Sequence, residues 1–272
     1  QRQMCIRDRP VIRTDAEAPH RPSTWEPALA SAAEAVKRIA PNQLAIIASG
    51  RMTNEELYMV RHLAAQIGTD MVDIVPRMGE SDGMLISADR NPNTNGARLV
   101  LDIEPGSRLD AIREGVRSGS IKGILSLGED LISPEAGFTA EDLDKLDYLF
   151  MTAHSANETA RHADLVLPGV TYAEKFGTMI NVTGRIQRLN RAIQPIGYAR
   201  DDWQIFRDIT LLLGGNPALK DFNSALDILT AMSTEYGALN GVSWGSIGDG
   251  GQPILETGVT IPVVEREKNQ GR

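Results

Sequence analysis

HADLVLPGVTYAEKFGTMINVTGRIQRLNRAIQPIGYARDDW, residues 162–203, joins a short apolar run to a polar loop, then a basic hairpin-like segment, then the start of a helix. Asp164-Leu165-Val166-Leu167 is stopped by Pro168-Gly169, the pattern of a buried parallel strand that ends in a turn. Glu174, Lys175 and Gly177 follow on a loop, where polar groups bind a partner or another segment. Asn181-Val182-Thr183-Gly184 is turn chemistry, because Asn and Gly tolerate positive φ. Arg185, Gln187, Arg188 and Arg191 then form a local cationic strip. Asp201 or Asp202 caps a helix whose Trp203, Phe206, Ile209 and Leu213 fall at helical spacing, with Gly214-Gly215 ending it.

Working upstream, helices and strands alternate. Ser23 or Thr24 opens a helix through Ala28–Ala40, with Leu29, Val36 and Ile39 apolar and Pro41 stopping it. Leu44–Ala48 reads as a short buried strand. Thr53 with Glu56 forms a capping box ahead of a helix that Gly68 closes. Met71–Val75 is the next strand, and Gly79 to Ala97 a Gly/Asn/Pro-rich loop. Leu109, Ile112 and Val116 give a helix stopped at Gly119, then Ile124–Leu127 a strand. Thr139 and Asp142 cap a short acidic helix before the Tyr148–Thr152 strand. The alternation predicts an α/β domain, doubly wound, with a mainly parallel sheet and helices on both faces. Downstream, a helix from Asn223 to Glu235 and a Gly-rich stretch form a mixed helical and irregular extension that ends in the charged tail EREKNQGR.

Composition sets outer limits. The chain has 272 residues, 42% hydrophobic and 24% charged, ordinary values for a globular domain. A net charge of −8 argues against nucleic acid as a partner. No apolar run approaches the roughly 20 residues needed to span a bilayer, which argues against direct membrane insertion. The single Cys, at position 5, excludes an iron–sulfur cluster held by this chain alone, since such clusters need several thiolates. His20, His62, His154 and His162 lack metal-ligand spacing, so no metal is expected, and no nucleophile–base pair stands out as catalytic. The opening QRQMCIRDR reads as a non-native adapter remnant on a chain truncated at its N-terminus. The expected organisation is therefore 1–9 artefactual, 10–219 α/β domain and 220–272 extension.

The ordered series ADLVLP, EKFGT, N-x-x-G-R-x-Q and ARDDW resembles the molybdopterin oxidoreductase superfamily. Within it, the resemblance is closest to the large iron–sulfur subunit of the peripheral arm of respiratory complex I. Ser23–Leu29 (STWEPAL), Asn54–Tyr58 (NEELY), Ile67-Gly68-Thr69 and Gly123–Asp130 (GILSLGED) look like further elements of the superfamily. Three departures matter. Cofactor-loaded relatives commonly place an Asp shortly before their E-T-A motif, where it meets a guanine; here that position is Ala153. The Gly79–Ala97 loop is shorter than the section that encloses a bis-pterin cofactor. The turn reads T-G-R-x-Q, in the manner of complex I.

The resemblance implies a scaffold without a cofactor of its own that supports NADH-to-quinone electron transfer. Iron–sulfur clusters would lie in a missing N-terminal part. The partners would be other peripheral-arm subunits, with Arg185, Gln187, Arg188 and Arg191 as interface candidates. The location would be cytoplasmic, against the inner face of the cell membrane. The alternative is the pterin-binding part of a molybdenum or tungsten oxidoreductase such as NAD-linked formate dehydrogenase. It would bind molybdopterin guanine dinucleotide through Gly128, Glu129, Glu174, Gly177 and Asn181. A stand-alone nucleotide-binding protein ranks last, since no G-x-G-x-x-G or Walker loop is present.

Overall fold

The computed structural model describes residues 8–13, 18–84 and 86–259. Cys5 and the EREKNQGR tail lie outside the described residues, as does most of QRQMCIRDR. Strands β1 (Val11–Ile12) and β2 (Arg21–Pro22) lead into α1 (Trp25–Arg38), β3 (Leu44–Ala48), α2 (Asn54–Ile67) and β4 (Val72–Ile74). Then come α3 (Thr94–Leu101), α4 (Leu109–Ser118), β5 (Gly123–Leu127), α5 (Ala140–Leu143), β6 (Tyr148–Ala153), α6 (Thr159–His162) and β7 (Leu165–Pro168). The chain continues through β8 (Gly177–Ile180), β9 (Arg185–Leu189), α7 (Asp202–Leu212), α8 (Ala225–Glu235), α9 (Trp244–Ile247) and β10 (Gln252–Pro253).

A seven-stranded sheet runs in the order β2-β1-β7-β6-β5-β3-β4. The run from β7 to β4 is parallel, and β1 adds antiparallel to β7 at the edge. Continuous apolar runs are what a strand covered on both faces needs, and here the side chains divide by parity. Leu44, Ile46, Ala48, Leu125, Leu127, Phe150, Leu165 and Leu167 join one core with α1, α2, α7 and α8. Ala45, Ile47, Ile124, Leu149, Met151 and Val166 join the other, under Ile112 and Val116 of α4 and Leu143 of α5. The expected doubly wound α/β class is the observed one. Among the described residues, no helix is long and apolar enough to cross a membrane.

Local chemistry sets the helix ends. Thr53 and Glu56 close a full capping box on α2, whose C-cap Gly68 sits at φ 79°. Thr139 and Asp142 do the same for α5. The structure corrects several expectations. The loop read as Gly79–Ala97 ends earlier, because α3 begins at Thr94; its Asn95 and Gly96 are poor helix formers, and burial of Ala97 and Val100 against α2 outweighs them. The first helix begins at Trp25, and Thr24 at its N-cap makes no side-chain capping bond. Asp201 occupies the N-cap of α7 without capping it: its carboxylate is held by Arg191 at 2.7 Å on both oxygens. The 241–254 stretch, too poor in periodicity to assign, contains α9 and β10.

A second, three-stranded antiparallel sheet, β10-β9-β8, stands beside the first. Its β8–β9 turn is the Asn181–Gly184 segment. The Asn181 carboxamide oxygen accepts from the Thr183 and Arg185 amides, each at 3.0 Å. Gly184 takes φ 75°, and a side chain there would run into the Leu255 carbonyl.

Candidate functional site

The parallel strands run β4-β3-β5-β6-β7 in space, so the winding direction reverses between β3 and β5. In open α/β sheets a crevice forms outside the carboxyl ends at such a reversal, because the two connections leave on opposite faces. Here α2 leaves on one face and α4 returns on the other. A pocket of about 250 Å³ lies at this place. Ser49, Arg51 and Met52 line it from the end of β3, and Gly128, at φ 75°, from the end of β5. Thr152, Ala153 and His154 contribute from β6, and Gly169, Val170 and Tyr172 from beyond β7. Gly169 permits a close approach of α7, since a Cβ there would stand 2.7 Å from an Asp202 carboxylate oxygen.

The remaining wall is Lys175 and Asp202, and behind it lies a buried polar cluster. Lys175 Nζ stands 2.7 Å from Glu56 Oε2 and 3.4 Å from Asp202 Oδ2. Glu56 also accepts from the Thr53 amide at 2.9 Å. Beside it, Glu55 accepts from the Thr178 amide and hydroxyl, both at 2.8 Å. Asn93 joins the elements: it donates to the Met52 carbonyl at 2.7 Å and to Asn54 at 3.0 Å, and accepts from the Ile180 amide at 2.7 Å. Glu55 and Glu56 both lie in the first turn of α2, where the helix dipole favours negative charge.

Burial dominates the electrostatics. It pushes Glu55 up to about 7 against the opposing hydrogen bonds from Thr178. It pushes Glu56 up to about 7 as well, with Lys175 pulling the other way. Burial also works against the Lys175 charge, but the Glu56 and Asp202 carboxylates outweigh it and raise its pKa. The Thr152 hydroxyl is buried at the pocket with no hydrogen-bond partner.

A pH dependence follows. Glu55 binds its proton more tightly folded than unfolded, so stability falls as pH rises from about 4.5 to about 7. Full titration of a shift of this size is worth about 3 kcal/mol. Urea melts across this range should show the decline, and Glu55→Gln should flatten it; an unchanged slope would assign it to other groups.

Of the residues the pterin reading singles out, only Gly128 lines this pocket. Glu129 is buried and gripped by Arg77 at 3.0 and 2.5 Å. Glu174 is buried and accepts from the Thr171 amide at 2.9 Å and the Ile196 amide at 3.2 Å. Gly177 opens β8, where a side chain would press on Glu55 and Thr53. Asn181 shapes its hairpin and lines a separate open groove with Gln187 and Arg188. The cationic strip is engaged within the chain. Arg185 donates to the Gly251 carbonyl at 2.7 Å, Arg188 pairs with Asp249 and lies over the Trp244 ring, and Arg191 holds Asp201. Thr152 and Arg77 were not singled out in the sequence, and Glu55 only as part of a helix start. The signal for the cluster was the pair of acids in N-E-E, adjacent charges that a surface helix would not bury.

Comparisons with known proteins agree with this architecture. Residues 77–210 match the family model of molybdopterin oxidoreductases. A provisionally named formate dehydrogenase of Staphylococcus haemolyticus is 32% identical over 144 residues, covering 52% of this chain and 15% of that protein. The alpha subunit of an NADPH-Fe(3+) oxidoreductase of Geobacter sulfurreducens is 33% identical over 136 residues, covering 49% of this chain and 16% of that one. The matched region is thus a small part of either relative's length. Acetylene hydratase from Pelobacter acetylenicus superposes with a TM-score of 0.58 at 8% identity, over 88% of this chain and 65% of that one, a likeness of fold. Residues 77–210 thus resemble a molybdopterin oxidoreductase domain.

Proposed function

We propose that this chain is part of a molybdopterin-type oxidoreductase subunit, and that its switch-point pocket receives the nucleotide end of the pterin cofactor. The observation that carries this reading is the Thr152 hydroxyl, buried at the pocket without a partner. A buried hydroxyl left unsatisfied costs about 1–3 kcal/mol, and a ligand oxygen or nitrogen would relieve that cost. The pocket's 250 Å³ lies just below the about 300–1,000 Å³ typical of small-molecule sites, which suits one end of a larger ligand rather than the whole of it. Met52, Val170 and Ala153 offer apolar walls, and Ser49, Lys175 and the Gly128 turn offer polar ones. These residues fit such a group. When bound, the cofactor supplies a molybdenum or tungsten ion that changes oxidation state; the residues described here would hold and orient its far end. The formate dehydrogenase name of one relative supports the same reading.

The direct test is molybdenum, tungsten and pterin content of the full-length protein from its native host. Metal and pterin near one per chain support the reading, and their absence overturns it. Thr152→Val provides a second check. Removing an unpartnered hydroxyl should leave the cofactor-free protein as stable or about 1–2 kcal/mol more stable, while cofactor content falls. Unchanged cofactor content in that variant would remove Thr152 from the site.

Two observations favour a second reading. Ala153, at the carboxyl end of β6, offers the pocket no acceptor, and the Glu129 carboxylate is already occupied by Arg77. Both suit a scaffold in a complex I-type NADH:quinone oxidoreductase, docked on other peripheral-arm subunits at the cytoplasmic face of the membrane. Its iron–sulfur clusters would be held elsewhere in the full-length subunit. Iron without molybdenum, tungsten or pterin in that protein supports the scaffold; pterin near one per chain excludes it.

A further inference from the structure

We infer that an anionic ligand enters the switch-point pocket together with a proton, taken up by the cluster of Glu56, Lys175 and Asp202. This rests on the nucleotide reading of the pocket, since the anion would be a phosphate of the ligand.

Lys175 is the buried cation of the pocket wall, at 9% exposure; the other lining cation, Arg51, is exposed. Lys175 is already met by two carboxylates, Glu56 at 2.7 Å and Asp202 at 3.4 Å, which are 2% and 4% exposed. With all three ionised the cluster carries a net charge of −1, from one cation and two anions. Glu55, in the same turn of α2, adds a further acid beside it. A phosphate oxygen brought to Lys175 would place a third negative charge on a cation that is over-neutralised. In a low-dielectric setting that repulsion is large. Protonating one carboxylate removes it and frees the ammonium for the ligand.

Glu56 is the natural acceptor of this proton. Burial already brings it close to neutrality, and an added anion would raise it further. The groups facing it are Lys175 from the segment before β8, Asp202 from α7, and Thr53 and Glu55 from α2. Beyond Asp202, the Asp201 carboxylate is neutralised by Arg191. His154 also lines the pocket.

The experiment is calorimetric titration of the 272-residue chain with guanosine diphosphate and with guanosine. Each titration is run near pH 7 in two buffers of different ionisation enthalpy. Guanosine diphosphate should bind with uptake of about half a proton per chain near pH 7, where Glu56 is already about half protonated, rising toward one near pH 8, and its affinity should weaken toward tenfold per pH unit above pH 7. Guanosine, lacking phosphate, should bind with no uptake. Glu56→Gln keeps the capping geometry, because Gln serves at that position as Glu does, and it should abolish the uptake. Diphosphate binding with equal heats in both buffers, or uptake that persists in Glu56→Gln, would overturn the inference and leave the nucleotide reading standing. Binding of neither probe would overturn that reading and this inference with it.

Discussion

Lys175→Ala should destabilise the fold by about 3–5 kcal/mol at neutral pH, the cost of leaving buried carboxylates without their counter-ion. Glu56 and Asp202 are both nearly inaccessible and both rely on Lys175 Nζ. The loss should shrink on acidification. Removing the cation raises Glu56 above its present value of about 7, so below that pH the variant escapes the penalty by taking up a proton. Urea melts near pH 5 and pH 8 decide the matter. A variant equally destabilised at both pH values would show that the ammonium acts through packing rather than charge.

Trp203→Ala is the second large effect. Trp203 is 4% exposed and sits in the core shared by the sheet, α2 and α8, with the Arg207 guanidinium 5.3 Å from its ring. Deleting an aromatic of this size from a packed core costs about 3–5 kcal/mol. Loss of the Arg207 stacking adds to that. Thermal denaturation should fall accordingly, and a shift near zero would mean the site collapses to fill the space. Asp202, one residue upstream, bears on the site, whereas Trp203 bears on stability, so the two kinds of variant should separate cleanly in ligand-binding assays.

The fold was legible because its signals are local. The apolar runs at Leu44–Ala48, Ile124–Leu127 and Leu165–Leu167 are too short for buried helices and are bounded by turn residues, which reads as strands, and both capping boxes, at Thr53 and Thr139, follow from residues three apart. The capping box at Ser224 and Asp227 was equally legible in principle and marks the start of α8. The site was less so. Lys175 and Glu56 are 119 residues apart in sequence, and Asn54 and Thr178 are 124 apart. Nothing in local spacing ties such pairs together. Asp202 reads as a helix cap because the start of a helix is where acids commonly sit, and only the fold reveals the ammonium opposite it. The strip of Arg185, Arg188 and Arg191 reads as surface charge for the same reason: its acceptors at Gly251, Asp249 and Asp201 come from other segments.

The long separations within the buried seam also order events during synthesis. Glu55 and Glu56 leave the ribosome well before Lys175 and Thr178, so the first turn of α2 waits for its partners in water. A loop of this length must close before the seam's bonds repay any of the cost of burying two acids. The β8 hairpin is therefore the clasp of the nascent chain. A ribosome stalled between residues 110 and 170 should present β3 and α2 open to protease, and release of the next few dozen residues should lock them.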